Sequence, residues 1–267
     1  MEAQSFITLG DGTRLAYRFD GPPDKPTLML SNSISTTHRM WDREMAALTA
    51  HFRVLRYDMR GHGASGVPAG AYSLARLGRD VVELLDALAL ERVHFLGLSL
   101  GGFVGQWLGI HVPERIDRLV LSNTSAYLGP AEQWDRRIEA VLAATDLTET
   151  ANMFLHNWFP ASMLRDAEPV VETFRAMLLA MNPQGLAGSY AAVRDTDLRR
   201  TIALVERPTL VIAGRDDTVT AATHSELIAA TIPDARLVVL PTVHLPNIER
   251  PREFLDAVLA FLSRSLP

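Results

Sequence analysis

The architecture of this chain can be predicted from Val93-His94-Phe95-Leu96-Gly97-Leu98-Ser99-Leu100-Gly101-Gly102-Phe103. The first four residues are mostly apolar, as in a buried strand, and residues 103–110 have the apolar content of a packed helix. Between the two lies Ser99, with a glycine two residues away on each side. Side chains at these two glycine positions would collide with the neighbouring strand and helix. We therefore predict a strand, a sharp strained turn that presents the serine, and a helix.

Other short apolar runs flank this stretch, and helical patterns separate them. The runs cover residues 27–30, 54–57, 119–121, 209–212 and 237–240. Between two of them, Leu77, Val81, Leu84 and Leu88 fall on one face of a helix that spans residues 74–88. Strands and helices that alternate in this way predict an α/β fold with a mostly parallel, doubly wound sheet.

The alternation stops after Asn123 and resumes near Asp197. The sequence between them has helical patterns with no convincing strand. We predict an inserted helical cap at residues 130–192, on a core domain made of residues 1–129 and 193–267. Long insertions often carry function, although this one could also serve only to stabilise the main domain.

A serine hydroxyl becomes a useful nucleophile when a histidine takes its proton and a carboxylate orients that histidine. We take Ser99 as the candidate nucleophile. His244 is the candidate base because it follows the last predicted strand, and loops at strand ends carry the chemistry of such sheets. Asp216 and Asp217 follow the preceding strand, which gives the chain order serine, acid, histidine. The residues alone do not separate these adjacent aspartates.

A tetrahedral intermediate also needs backbone donors for its oxyanion. One is expected at Leu100, the residue after the nucleophile, and the other in the loop after an earlier strand. We place the second donor at Ile34, with the neighbouring Ser33 as a substrate-binding residue. The alternative is an ordinary turn rich in serine and asparagine.

Composition excludes several classes of function. The 26 basic and 31 acidic residues give a net charge of −5, and without a basic run we expect no nucleic-acid partner. With no cysteine, disulfides, thiolate nucleophiles and cysteine-ligated zinc are excluded. The first twelve residues lack the features of a signal peptide, and 18 consecutive apolar residues occur nowhere. We therefore expect a cytoplasmic protein that does not bind membranes.

These motifs, together with Asp58-Met59-Arg60-Gly61-His62-Gly63-Ala64-Ser65 and Val243-His244-Leu245-Pro246-Asn247, resemble the α/β-hydrolase superfamily over nearly the whole chain. Within it, Leu30-Ser31-Asn32-Ser33-Ile34 and Met40-Trp41-Asp42 are similar to the 3-oxoadipate enol-lactonases. The resemblance favours Asp217 as the acid, because the family pattern is glycine, two residues, then the acid. It implies a bacterial cytoplasmic enzyme of aromatic catabolism that opens this enol-lactone with water and needs no cofactor or metal.

The substrate implied by the resemblance carries a carboxylate, which a protein of net charge −5 must meet with a well-placed cation. Trp134 and Arg137 are three residues apart on the predicted first cap helix and share a face, whereas Arg136 points elsewhere. We expect Arg137 to bind the carboxylate and Trp134 to line the pocket. The alternative is an exposed arginine beside a core tryptophan.

Three other functions are compatible with the same motifs. A carboxylesterase, or a carbon-carbon bond hydrolase of aromatic ring-cleavage products, would use the same three residues on the same fold. A non-catalytic receptor for a small ester would keep the pocket, although the intact serine, acid and histidine argue against it. The oligomeric state does not follow from the sequence.

Overall fold

The structure is a computed structural model that describes residues 4–263. Within this range, eight strands form one sheet: β1 (Ser5–Thr8), β2 (Arg14–Asp20), β3 (Thr27–Ser31), β4 (Arg53–Tyr57), β5 (Val93–Leu98), β6 (Ile116–Ser122), β7 (Thr209–Gly214) and β8 (Arg236–Leu240). Their order across the sheet is β1-β2-β4-β3-β5-β6-β7-β8. Strands β3 to β8 run parallel, which confirms the predicted mostly parallel α/β sheet.

Apolar residues predominate in the central strands because both faces of the sheet are covered. All six residues of β7 are buried, as are the last four of β3 and of β4. The two N-terminal strands were not predicted. They pair antiparallel at one edge of the sheet, where β1 is mostly exposed and has no long apolar run.

Eleven α-helices lie within the described range: α1 (Met45–Leu48), α2 (Leu74–Ala87), α3 (Leu100–His111), α4 (Ala131–Ala143), α5 (Thr148–Trp158), α6 (Ala161–Arg165), α7 (Pro169–Leu179), α8 (Pro183–Arg194), α9 (Ala222–Thr231), α10 (Pro246–Glu249) and α11 (Pro251–Leu262). Helix α2 begins after Ser73, whose side chain accepts a hydrogen bond from the Arg76 N–H. It buries the predicted face, including Leu77, Val81 and Leu84. Helix α3 packs against β5 and β6 and so fixes the turn that precedes it.

Helices α4 to α8 lie between β6 and β7. Tyr127 and Asp197 form an antiparallel bridge where the chain leaves the sheet and returns to it. Within the insertion, α4 packs on α8 and α5 packs on α7. These helices fall in the stretch predicted as a cap at residues 130–192, and the division of the chain into two domains stays a prediction. Within residues 4–263, no helix has the length and apolar character needed to cross a membrane.

Candidate active site

Ser99 occupies a strained turn between β5 and α3. Its φ of 56° and ψ of −115° place a non-glycine residue in a sparsely populated backbone conformation. A Cβ on Gly97 would lie 2.1 Å from the carbonyl oxygen of Gly101, and one on Gly101 would lie 2.2 Å from that of Ser31. Only glycine fits at both positions, as the sequence predicted, and the serine is thereby held at the carboxyl edge of the sheet.

His244 and Asp217 form a buried pair close to that edge. The His244 Nδ1 lies 2.8 Å from Asp217 Oδ2, and both side chains are fully inaccessible to solvent. The adjacent Asp216 has a side chain that is 58% exposed and pairs only weakly with Arg215 at 3.4 Å. The structure thus brings Asp217, and not Asp216, to the histidine.

Two residues that the sequence analysis missed orient the Asp217 carboxylate. Asn123 follows β6 and donates its side-chain N–H to Oδ2 at 2.9 Å. Thr220 donates its hydroxyl to Oδ2 at 2.8 Å and its backbone N–H to Oδ1 at 3.0 Å. A signal for Asn123 was available, since polar residues at the carboxyl ends of adjacent parallel strands lie close together.

Burial alone would raise the pKa of the Asp217 carboxyl. The charge of His244 and the hydrogen bonds from His244, Asn123 and Thr220 outweigh it, and the pKa falls to about 2. The carboxylate therefore stays ionised at neutral pH, where it can hold the Nδ1 proton of His244 and stabilise an imidazolium.

The other nitrogen of His244 has no partner. Its Nε2 is buried and makes no hydrogen bond to any group in residues 4–263. Ser99 and His244 line the same cavity, although no hydrogen bond joins them in the described part of the chain. Catalytic hydrogen bonds often become short only when substrate is bound. An orphaned buried nitrogen that shares a cavity with a strained serine is suited to proton transfer.

Two residues of the cavity wall have backbone N–H groups without an acceptor among residues 4–263. Ile34 and Leu100 both line it, and neither backbone N–H has an acceptor within the described range. Two such N–H groups match what an oxyanion hole requires. The Ser33 side chain is fully buried and is absent from the cavity wall, so the structure does not bring this predicted substrate-binding residue to the site.

The cavity has a volume of about 290 Å³, enough for a small molecule. Helix α4 contributes both predicted residues, Trp134 and Arg137. The Arg137 guanidinium lies 4.8 Å from the Trp134 ring centroid and makes no ion pair with a carboxylate of residues 4–263. It is therefore a cation available to an anionic ligand.

Further side chains of the cavity come from helices that the sequence analysis did not place at the site. Asn157 and Trp158 on α5 and Tyr190 on α8 line the cavity. Trp158 stacks against the His244 ring, with centroids 6.2 Å apart and planes 19° from parallel. Burial raises the pKa of Tyr190, against the effect of the nearby Arg137 charge. The described residues contain no group of three or more histidines and carboxylates suited to a metal ion.

Comparisons with known proteins identify relatives that match nearly the whole chain. A family model described as the alpha/beta hydrolase fold matches residues 26–251. A solved structure of a hydrolase from Pseudomonas aeruginosa PA01 is 67% identical, with a TM-score of 0.97 and 98% of each chain covered. The solved enol-lactonase from Burkholderia xenovorans LB400 is 36% identical, with a TM-score of 0.94, 97% of this chain and 100% of that chain covered.

Curated relatives carry two different activities in their names. 3-Oxoadipate enol-lactonase 2 of Acinetobacter baylyi is 36% identical and covers 94% of this chain and 93% of its own length. A candidate carbamate hydrolase, RutD of Variovorax paradoxus, is 33% identical and covers 94% of this chain and 96% of its own length. The shared feature of these relatives is hydrolysis, and the bond that is cleaved differs.

Proposed function

Because this chain belongs to the α/β-hydrolase family and is a hydrolase, we propose that it opens 3-oxoadipate enol-lactone with water to give 3-oxoadipate. The observation that carries the proposal is one cavity that holds Ser99, His244 and the unpaired cation of Arg137. This arrangement offers a nucleophile and base at one end and a carboxylate-binding group within reach of the same small molecule.

In the proposed mechanism, Ser99 Oγ attacks the lactone carbonyl carbon while His244 Nε2 takes the hydroxyl proton. Asp217 keeps the imidazole oriented and stabilises its positive charge. The N–H groups of Ile34 and Leu100 bind the oxyanion. When the tetrahedral intermediate collapses, the ring C–O bond breaks, and the enol oxygen takes the proton from His244. The enol stays attached through the acyl-enzyme.

A water molecule then attacks the acyl-enzyme, and His244 again takes and returns a proton. The ester bond to Ser99 breaks, the second carboxylate is released, and the enol tautomerises to the ketone of 3-oxoadipate. Every step uses side chains and backbone groups of this chain together with water. The proposed mechanism therefore involves the small lactone substrate and water, and no further partner.

Arg137 favours the carboxylated lactone over a neutral ester. In a protein of net charge −5, a free guanidinium in a largely enclosed cavity is expected to bind an anion. The ring of Trp134 limits the positions that this guanidinium can take. A carboxylesterase would need the same serine and histidine but would gain nothing from the arginine.

The test compares Arg137→Ala with Arg136→Ala, a matched control on the exposed side of α4. Loss of the enol-lactone ultraviolet absorbance measures lactone opening, and p-nitrophenyl acetate serves as a neutral ester. A charge-assisted hydrogen bond contributes about 1.5–3 kcal/mol, so Arg137→Ala should raise KM for the lactone about 10- to 100-fold. KM for the neutral ester should change less than about threefold, and Arg136→Ala should behave as wild type.

Two results would contradict the proposal. One is a wild-type protein that hydrolyses p-nitrophenyl acetate and leaves the enol-lactone intact, because the serine would then act on another substrate. The other is an equal rise in KM for both substrates in Arg137→Ala, which would indicate a damaged pocket with no specific carboxylate contact.

A further inference from the structure

In the turn after β3, three consecutive residues differ in their backbone hydrogen bonds. The first and third N–H groups donate to side chains, and the N–H between them has no acceptor within the described residues. The Ser33 N–H donates to Met40 Sδ at 3.3 Å, and the Ser35 N–H donates to His62 Nε2 at 3.0 Å. The Ile34 N–H between them makes no hydrogen bond within the described part of the chain. Both anchors come from outside the turn, one from the short 3₁₀ helix His38–Trp41 that follows it and one from the loop after β4.

We propose that Met40 and His62 are positioning residues that hold the Ile34 N–H in place for the oxyanion. This inference rests on the proposed function, because it assigns that N–H to the tetrahedral intermediate. Neither side chain lines the cavity. Each acts through the backbone, by fixing the residue directly before or directly after Ile34.

The hydrogen bonds of His62 define its role. A backbone carbonyl can only accept, so the Nδ1 that lies 3.0 Å from the Arg60 carbonyl oxygen must carry the proton. A backbone N–H can only donate, so Nε2 accepts from Ser35 with its lone pair. The neutral imidazole is the form that makes both bonds. Burial lowers the pKa of His62, against the effects of the Arg60 carbonyl and the Asp58 carboxylate.

Met40 is an unusual anchor because a thioether is a weak acceptor. Its side chain is almost completely buried, so no water competes for the Ser33 N–H. The Thr36 hydroxyl also lies 3.1 Å from Sδ and 2.7 Å from the Ser33 carbonyl oxygen. Leucine has a similar volume and shape but no acceptor, which makes this contact possible to remove with little change in packing.

The turn needs external anchors because its own backbone is strained. Ser35 has a φ of 59°, in the left-handed region that favours glycine, and such a residue costs about 1–3 kcal/mol. A single internal backbone bond closes the turn, from the Thr36 N–H to the Ser33 carbonyl oxygen at 3.3 Å. Without His62 or Met40, the strain can be relieved by rotation of the peptide groups on either side of Ile34, and its N–H would leave the oxyanion position.

The expected effect on kcat and KM depends on the stage of the reaction at which the oxyanion forms. An oxyanion donor is used in the transition state and hardly at all in the ground state, so its displacement lowers kcat and leaves KM nearly unchanged. Complete loss of one such donor costs about 100- to 1,000-fold in kcat. A donor that is misplaced but still present should cost less, and we expect a loss of about 10- to 100-fold.

The experiment measures kcat and KM for Met40→Leu, His62→Leu and His62→Gln, on p-nitrophenyl acetate and on the enol-lactone. Met29→Leu is the matched control, since Met29 is equally buried and its sulfur accepts no hydrogen bond within residues 4–263. Met40→Leu and His62→Leu should lose 10- to 100-fold in kcat with KM within threefold. His62→Gln keeps an amide oxygen that can accept from Ser35, and it should recover several-fold of the loss.

Urea unfolding midpoints show which variants fold. If His62→Leu does not fold, Met40→Leu alone tests the inference. A folded Met40→Leu with kcat within twofold of wild type, or an equal loss in Met29→Leu, would overturn the inference. A wild type active on p-nitrophenyl acetate alone would overturn the lactone as substrate, and the acetate data would still test the two anchors. A wild type inactive on both esters would overturn the proposed function and this inference together.

Discussion

Within residues 4–263, two buried histidine–aspartate pairs have nearly the same geometry. His244 Nδ1 lies 2.8 Å from Asp217 Oδ2, and His38 Nδ1 lies 2.9 Å from Asp58 Oδ1. Each aspartate follows a parallel strand, and each accepts hydrogen bonds from two backbone N–H groups. In both cases burial would raise the carboxyl pKa, and the histidine helps to lower it.

The two pairs differ in what surrounds the histidine. His244 lines the cavity beside Ser99, and its Nε2 is unpartnered within residues 4–263. His38 lies away from the cavity wall, and its backbone carbonyl accepts a hydrogen bond from Arg56 at 3.2 Å. A histidine–aspartate pair can therefore serve as a structural connection, and a catalytic role requires a free nitrogen that shares a cavity with a nucleophile.

The largest effect should come from Ser99→Ala, which removes the nucleophile from one pair and leaves both pairs intact. Turnover of p-nitrophenyl acetate should fall by about 10⁶-fold, or below detection. The second pair, His38 and Asp58, cannot compensate because it lies away from the cavity and has no serine there to activate. Circular dichroism melts should show an unchanged fold. Residual activity above about 1% of wild type would contradict the assignment of Ser99 and would direct attention to the second pair.

The second-largest expected effect distinguishes the carboxylates of Asp217 and Asp58. Asp217→Asn should lower kcat by about 10⁴-fold, because an amide favours the wrong tautomer of His244. Asp58→Asn should leave kcat within about threefold of wild type and lower the free energy of unfolding by about 2 kcal/mol, since an amide cannot accept all of the bonds made by the carboxylate. Steady-state kinetics and urea unfolding of both variants check this. A fall in kcat of similar size in Asp58→Asn would show that the pairs are functionally coupled.

The same contrast shows what can be predicted from sequence. The parallel strands were found from their short apolar runs, which in the central strands reflect burial on both faces. The strained turn at Ser99 was found because its two glycines are sterically required. Strand β1 was missed because it is an exposed edge strand. Strand β2, which lies between β1 and β4, was missed because charged and partly exposed residues interrupt its apolar ones. The family resemblance, the fold class and the assignment as a hydrolase are confirmed by the comparisons.

Site residues whose position depends on tertiary packing could not be predicted from the sequence. Trp134 and Arg137 could be paired because helical spacing alone puts them on one face. Asn157 and Tyr190 reach the same cavity only because α5 and α8 pack around it, and no local pattern predicts that packing. The catalytic roles of Ser99 and the other predicted site residues stay predictions until the kinetic variants are measured.

The smallest expected effect concerns acid stability, where the two pairs should behave alike. The pKa of Asp217 is lowered from 3.8 to about 2 in the folded protein, so its contribution to stability is complete above pH 4 and is lost as the pH falls toward 2. The size of this contribution is about 2 kcal/mol, since one pKa unit corresponds to about 1.4 kcal/mol. The difference in unfolding free energy between wild type and Asp217→Asn should therefore shrink by up to that amount between pH 5 and pH 2.

Urea unfolding at pH 5, 4, 3 and 2 measures this difference, and Asp216→Asn is the matched control because it removes a charge from the same loop without touching His244. The pKa of Asp58 is also lowered, so Asp58→Asn should show a change of the same sign. A difference that stays constant with pH in Asp217→Asn would mean that the His244 pair does not stabilise the fold. Agreement for both aspartates, alongside a large difference in kcat, would show that the pairs share their electrostatics and differ only in access to the nucleophile.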